Sequence, residues 1–361
     1  MVGRQGAPRL ALNGKWLSQE TTGTQRYARE VTRHLLPLLT ERPVLHVPAG
    51  ADVPDWLRTQ VDVRRSRLRG TAFEQFALPW AARHHLVLSL GGAAPLLARR
   101  QVATMHDATP FRYPHTYSPA FGTWYRLMYR TVARRAERIL TVSAFSRSEL
   151  SAVLGVTEDR VVVVPNGSEH IPVHGRDEPV DGVNGRFVLM VGPPAAHKNI
   201  APVASALARH GIDVVVVGAG AAGRVFGSME RSSARPDGGS GSVTRVGRVS
   251  DEHVRWLYRH AAALVFPSLY EGFGLPVVEA QRLGCPVVAS DRASLPEVAG
   301  DGALLVDPTD ADAVARHVAT LLGDPDRLAQ LTSRGRKNAE RFRWSASAAE
   351  VAATVNRVRG S

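Results

Sequence analysis

Residues 264–290 read Leu-Val-Phe-Pro-Ser-Leu-Tyr-Glu-Gly-Phe-Gly-Leu-Pro-Val-Val-Glu-Ala-Gln-Arg-Leu-Gly-Cys-Pro-Val-Val-Ala-Ser. The apolar run ending at Phe266 predicts a buried strand over 262–266. A turn carrying Glu271 follows, and Gly272, Phe273, Gly274 and Leu275 predict a glycine-rich helix start. Glu279 lies one turn into that helix. Gly284 stops it, and a second strand begins over 286–289. The unit therefore aims two carboxylates and a bare helix N-terminus at one crevice. Unpaired N–H groups and a partial positive charge suit phosphate. Carboxylates suit sugar hydroxyls, which are hydrogen-bond donors. Together these residues read as a nucleotide-sugar site.

The same pattern extends along the chain. Short apolar runs at 10–12, 86–90, 102–105, 139–142, 161–164, 187–191, 214–217, 262–266, 287–289 and 303–306 alternate with amphipathic segments of helical length. Continuous valine-rich runs predict strands buried on both faces, hence parallel sheets flanked by helices. Ten such strands in 361 residues fit two doubly wound, Rossmann-like α/β domains better than one. The expected boundaries are 1–168 for the first domain, 169–186 for a polar linker and 187–344 for the second domain. Pro165-Asn166-Gly167 reads as a hinge turn.

Composition narrows the class. Hydrophobic residues make up 44% and charged residues 22%, which describes a globular chain. No apolar run is long enough to span a bilayer, and Met1 to Gly6 lead into no apolar stretch of the kind a secretion signal needs. The one cysteine, Cys285, excludes an internal disulfide and reads as a small buried hydrophobe. A cytoplasmic location is expected. Net charge is +12, unevenly spread: residues 1–168 hold 23 Lys and Arg against 12 Asp and Glu, a surplus of 11, and the rest hold 22 against 21. A basic first half suits an anionic membrane, giving a peripheral place on its inner face, or an anionic acceptor. Arginine-rich codon usage is the competing explanation, but on its own it should spread over both halves. A helix over 118–138, studded with arginine and aromatic residues, reads either as a membrane-surface helix or as a packed helix with a solvated basic face.

Other residues point to the same chemistry. Lys198, with Asn199, follows the strand 187–191 and opens a helix, so an ammonium joins helix-start N–H groups as a diphosphate clamp. His106 and Asp107 end the strand 102–105, where parallel sheets gather ligands. Gly23, in Thr-Thr-Gly-Thr-Gln-Arg at 21–26, allows close approach of the backbone to a phosphate or sugar. Gly218-Ala-Gly-Ala-Ala-Gly223 matches a dinucleotide fingerprint, but Asp237, the acid at the required spacing, falls in a Gly/Ser-rich loop over 231–242, so NAD is rejected. Asp310 and Asp312 start a helix and read as capping residues, not as a metal site. No zinc spacing, helix-turn-helix or aromatic-interleaved basic strip points to nucleic acid.

Glu271 and Glu279, with Gly-Phe-Gly-Leu-Pro-Val-Val between them, resemble the E-x7-E motif of family 4 glycosyltransferases. These are retaining enzymes of the GT-B fold, two Rossmann-like domains with a cleft between them. Gly192 to Asn199 is similar to the family's G-x5-K-N motif, whose lysine binds the donor diphosphate. Pro193 stands where many relatives have an arginine; Arg245 or Arg248 could replace it, since Val246-Gly-Arg-Val249 resembles the family segment near the nucleotide base. His106-Asp107 resembles the motif whose histidine lies at the sugar's reacting centre, and the loop around Gly23 resembles the family's first loop. The resemblance implies a nucleoside-diphosphate sugar donor held by the second domain through Lys198, Asn199, Arg248, the 272–275 amides, Glu271 on sugar hydroxyls and Glu279 on the ribose. It implies a glycan or polyprenyl- or lipid-linked acceptor on the first domain, polysaccharide or glycolipid assembly, and a last helix over 345–358 crossing back onto the first domain. No cofactor and no metal are expected. Another GT-B sugar enzyme, such as a nucleotide-sugar epimerase, or a non-catalytic binding protein remains the alternative.

Overall fold

Alternate side chains of each valine-rich strand go to opposite faces of a sheet, and both faces are covered. In the second half of the chain, Leu189, Val215, Leu264, Phe266 and Val287 pack into one buried cluster. Their neighbours Val188, Met190, Val214, Val216, Val265 and Val288 pack into another. This two-sided burial is what continuous apolar runs require. The structure is a computed structural model that describes residues 8–218, 232–234 and 240–360.

The chain divides into two compact units, Met1–Gly167 with Arg343–Ser361, and Ser168–Phe342. The first unit holds β1 (Leu10–Asn13), β2 (Val44–Val47), β3 (Asp62–Arg65), β4 (Leu86–Ser89), β5 (Gln101–Thr104), β6 (Arg138–Thr141) and β7 (Val161–Val163). Their order is β3-β2-β1-β4-β5-β6-β7, all parallel, with Leu12 opposite both Leu45 and Leu88. The second unit holds β8 (Phe187–Val191), β9 (Asp213–Val217), β10 (Ser232–Ala234), β11 (Val243–Gly247), β12 (Ala263–Phe266), β13 (Val287–Ser290) and β14 (Ala303–Val306). Their order is β10-β11-β9-β8-β12-β13-β14, with only β10 antiparallel. In each sheet the strand order reverses at one point, between β1 and β4 and between β8 and β12. Ligands of doubly wound sheets bind outside the carboxyl ends of the strands at such points.

Four strands, β2, β3, β10 and β11, lie outside the ten apolar runs. β3, Asp-Val-Arg-Arg, is a half-exposed edge strand with no apolar run to mark it. The segment 169–186, expected as a linker, belongs to the second unit. Its Ile171, Val180 and Val183 are buried in that unit's core, and Asp177 pairs with Arg255 at 2.7 Å and Arg259 at 3.1 Å. Sparse apolar residues in a polar stretch gave no periodic signal. The last helix, Trp344–Gly360, is grouped with the first unit. It packs on the helix Gly23–Leu35, where the Trp344 and Tyr27 rings lie 6.0 Å apart. The arginine-rich helix is Pro119–Arg135, capped by the Ser118 hydroxyl, and buries Met128, Tyr129 and Val132 on one face. No helix among the described residues is long and apolar enough to cross a membrane.

Candidate active site

In the second unit the loops leaving β8 and β12 meet at the reversal point. Lys198, from the β8 loop, places its Nζ 2.5 Å from Glu271 Oε1, from the β12 loop. The two side chains are only 17% and 11% exposed, and the ammonium also lies 5.7 Å from the centre of the Phe266 ring. Leu269 N–H donates to His197 O at 2.7 Å and ties the two loops together. Asn199 adopts the left-handed region at φ 55° and donates from Nδ2 to Pro308 O at 2.7 Å. This fixes where the helix Ile200–Arg209 starts.

The glycine-rich stretch is held from below. The Ser294 hydroxyl donates to Glu271 O at 2.9 Å and to Phe273 O at 3.1 Å. Gly274 has φ 91°, and a Cβ there would fall 2.5 Å from Leu295 Cδ2, so only glycine fits. From Gly274 the chain enters the helix Leu275–Leu283, whose N-terminus no side chain caps. Pro276 stands at the start of this helix, where its missing N–H costs nothing. Gly272, Phe273 and Gly274 are buried, and Leu275 is half-buried. An ammonium, a carboxylate and a helix-start dipole are thus gathered at the carboxyl ends of β8 and β12, and helix-start N–H groups of this kind suit a phosphate.

Glu279 lies on the same helix but has different partners. Its Oε2 accepts from the Tyr258 hydroxyl at 2.8 Å, and its Oε1 lies 2.8 Å from His170 Nε2. The Tyr258 ring is fully buried. Neither His170, in a stretch read as linker, nor Tyr258, inside an amphipathic helix, carried any local signal in the sequence. Arg248 is exposed at the carboxyl end of β11, just after the bulge at Gly247. Of the glycine pattern at 218–223, only Gly218 lies within the described residues; in the stretch 231–242, expected as a loop, Ser232–Ala234 form the edge strand β10, and Asp237 lies outside the described residues. Asp310 caps its helix by accepting from Ala313 N at 2.9 Å, and Asp312 pairs with Arg209 at 2.7 Å. Among the described residues no cluster of His, Cys, Asp and Glu could hold a metal ion.

In the first unit, His106 follows β5. Its Nε2 lies 3.3 Å from Leu90 O, and the Tyr27 ring meets its edge at 5.0 Å. Burial pushes its imidazole down to about 4, so the ring is neutral at pH 7. Gly92, at φ 79°, has Thr24 Cγ2 at 3.2 Å and His106 Cδ2 at 3.4 Å from where its Cβ would stand. The loops after β1, β4 and β5 therefore converge at His106. Gly23 is exposed at the start of its helix, and a Cβ there would meet nothing within 4 Å, so neither strain nor packing requires a glycine. Asp107 turns back to accept from Thr109 N at 2.7 Å.

Fold and site together define a GT-B glycosyltransferase. The family described as Glycosyltransferase Family 4 matches residues 21–169, and that described as Glycosyl transferases group 1 matches residues 176–338. O-antigen chain mannosyltransferase B of Escherichia coli is 31% identical over 264 residues, 69% of this chain and 68% of that one. O-antigen chain mannosyltransferase RfbU of Salmonella typhimurium is 28% identical over 251 residues, with the same coverage of 69% and 68%. Among solved structures, sucrose-phosphate synthase from Thermosynechococcus elongatus superposes with a TM-score of 0.73 at 19% identity, over 98% of this chain and 99% of that one. HepE from Anabaena in complex with UDP-glucose gives 0.70 at 17% identity, over 97% and 100%. The chain belongs to glycosyltransferase family 4.

Proposed function

We propose that this glycosyltransferase moves a hexose from a nucleoside-diphosphate sugar to a hydroxyl of a glycan or lipid-linked acceptor, with retention at the anomeric carbon. The observation that carries the reading is the Lys198–Glu271 pair at the carboxyl ends of β8 and β12. A donor diphosphate competes for the Lys198 ammonium and lies against the uncapped start of Leu275–Leu283. Glu271, released from the lysine, then accepts from the sugar's hydroxyls. Glu279, steadied by Tyr258 and His170, keeps lone pairs for the ribose hydroxyls.

As the C1–O bond breaks toward an oxocarbenium-like state, Lys198, Asn199, the amides of residues 272–275 and Arg248 stabilise the departing charge. Each such interaction is worth about 3 kcal/mol in a dry site. Glu271, once released from the lysine, is occupied by the donor sugar's hydroxyls, which favours same-face attack by the acceptor over a covalent glycosyl-enzyme. The leaving phosphate takes the acceptor's proton. His106 is the first unit's candidate for the chemical step, with Gly23 admitting ligand at the helix start. No metal and no cofactor are invoked.

Mannose is the first donor sugar to test, because two of the relatives are named as mannosyltransferases. Polysaccharide assembly is the proposed setting, for the same reason. The surplus of positive charge in the first half supports a peripheral place on an anionic membrane, not a nucleic-acid partner. The test is incubation with GDP-mannose, UDP-glucose or ADP-glucose and a pyranoside acceptor, with and without EDTA. The reading expects an α-linked product by NMR that persists in EDTA. An inverted product or loss of activity on chelation contradicts it.

A further inference from the structure

A second cluster, in the first unit, was not marked by any motif. Lys15, one of three lysines in the chain, leaves the carboxyl end of β1 and places Nζ 2.7 Å from Glu74 Oε2. The Glu74 side chain is 1% exposed and that of Lys15 15%. Asn13, the last residue of β1, donates to Glu74 Oε1 at 3.1 Å and to Ser89 Oγ, the last residue of β4, at 3.2 Å. The pair therefore sits at the strand-order reversal of the first sheet. A buried ion pair adds little stability once desolvation is counted. Apolar residues would close the end of the sheet as well, so the pair calls for a role other than packing.

Its surroundings indicate the ligand. The other two N–H bonds of the Lys15 ammonium meet no protein acceptor among the described residues. Tyr125 lies on the helix Pro119–Arg135 within the electrostatic reach of Glu74; burial first and that carboxylate second push its phenol up to about 12. Its ring stacks on Phe121 at 4.3 Å, and Phe121 stacks on Tyr117 at 5.3 Å. The Tyr125 hydroxyl likewise has no protein hydrogen bond among the described residues. Directed N–H and O–H groups beside an aromatic face match a pyranose ring, which offers hydroxyls on its edge and C–H groups on its face.

We propose that Lys15, Glu74 and Tyr125 form a pyranose-binding subsite for the acceptor. Lys15 and Tyr125 hydrogen-bond the ring oxygens, and Glu74 and Asn13 hold the lysine in place. The inference rests on the reading of a sugar-bearing acceptor.

The test titrates methyl α-D-mannopyranoside and methyl α-D-glucopyranoside into wild type, Lys15→Met, Lys15→Arg and Tyr125→Phe by NMR. GDP and UDP are titrated into the same four proteins in parallel. Wild type is expected to bind at least one pyranoside, Lys15→Met to weaken it by about tenfold and Tyr125→Phe by several-fold. Lys15→Arg should recover part of the loss, and nucleotide affinity should stay within about twofold of wild type. Tyr125→Phe leaves the ion pair intact, so it carries the test if Lys15→Met fails to fold. The subsite is overturned if wild type binds neither pyranoside, if the variants bind them as wild type does, or if inorganic phosphate displaces them. Lys15-dependent pyranoside binding without nucleotide binding would instead sink the donor reading and leave the subsite standing.

Discussion

Lys198 and Glu271, 73 residues apart in sequence, meet at 2.5 Å because their loops leave β8 and β12, the two strands where the sheet order reverses. Sequence spacing relates each residue to its own strand. The sheet topology relates them to each other, and it brings a lysine and a carboxylate together as one ion pair.

The loop that carries Glu271 depends on Gly274. Its φ of 91° and the 2.5 Å approach to Leu295 leave no room for a side chain. Gly274→Ala should lose about 2–4 kcal/mol, from left-handed strain and overpacking together. Urea unfolding measures this, and a variant as stable as wild type would show that the loop relaxes freely.

Glu279 relies on Tyr258 and His170. Tyr258→Phe removes one donor from a buried carboxylate and should cost about 1–3 kcal/mol of stability. It should also weaken nucleotide binding several-fold, because the carboxylate is no longer held. Calorimetric titration of GDP and UDP checks the second effect; unchanged affinity would separate Glu279 from the nucleotide.

Burial pushes the His106 and His46 imidazoles down to about 4, from an ordinary value of 6.5. Neighbouring His85 and Arg64 push His46 the same way. As pH falls below 6.5, the unfolded chain takes up these protons and the native state does not. Stability should therefore be full above about 6.5 and decline as pH falls from 6.5 toward 4. The double variant His46→Gln/His106→Gln should flatten that slope in unfolding curves at pH 7.5, 6 and 5. A slope identical to wild type would place the titrating groups elsewhere.

Phe76 and Trp80, four residues apart on one helical stretch of the basic half, are 70% and 72% exposed. Arg83 lies over the Trp80 ring at 4.9 Å. Aromatic side chains fringed by arginine suit the interface of an anionic bilayer. Phe76→Ser/Trp80→Ser should weaken sedimentation with phosphatidylglycerol vesicles and leave nucleotide binding alone. Wild-type binding that ignores vesicle charge would contradict the electrostatic part.

Much of this was legible in the chain. β8 was expected over 187–191 and spans Phe187–Val191, because a strand buried on both faces must be apolar throughout. The helix start at Leu275 follows from Gly-Phe-Gly-Leu-Pro. Asp-Val-Arg-Arg of β3 was not legible, since an edge strand half in water needs no apolar run. His170 and Tyr258 were hidden for another reason: they reach Glu279 across 109 and 21 residues, and no local pattern encodes such a meeting. Lys15 and Glu74 were missed in the same way, since their partnership exists only where β1 and β4 lie side by side.

Isothermal titration of GDP-mannose and UDP-glucose into wild type and Lys198→Met tests the diphosphate site most directly. A diphosphate held by Lys198 predicts binding of at least one donor by wild type and a loss of about 100-fold or more in the variant, with the unfolding midpoint little changed. Equal affinity in the two proteins would contradict it.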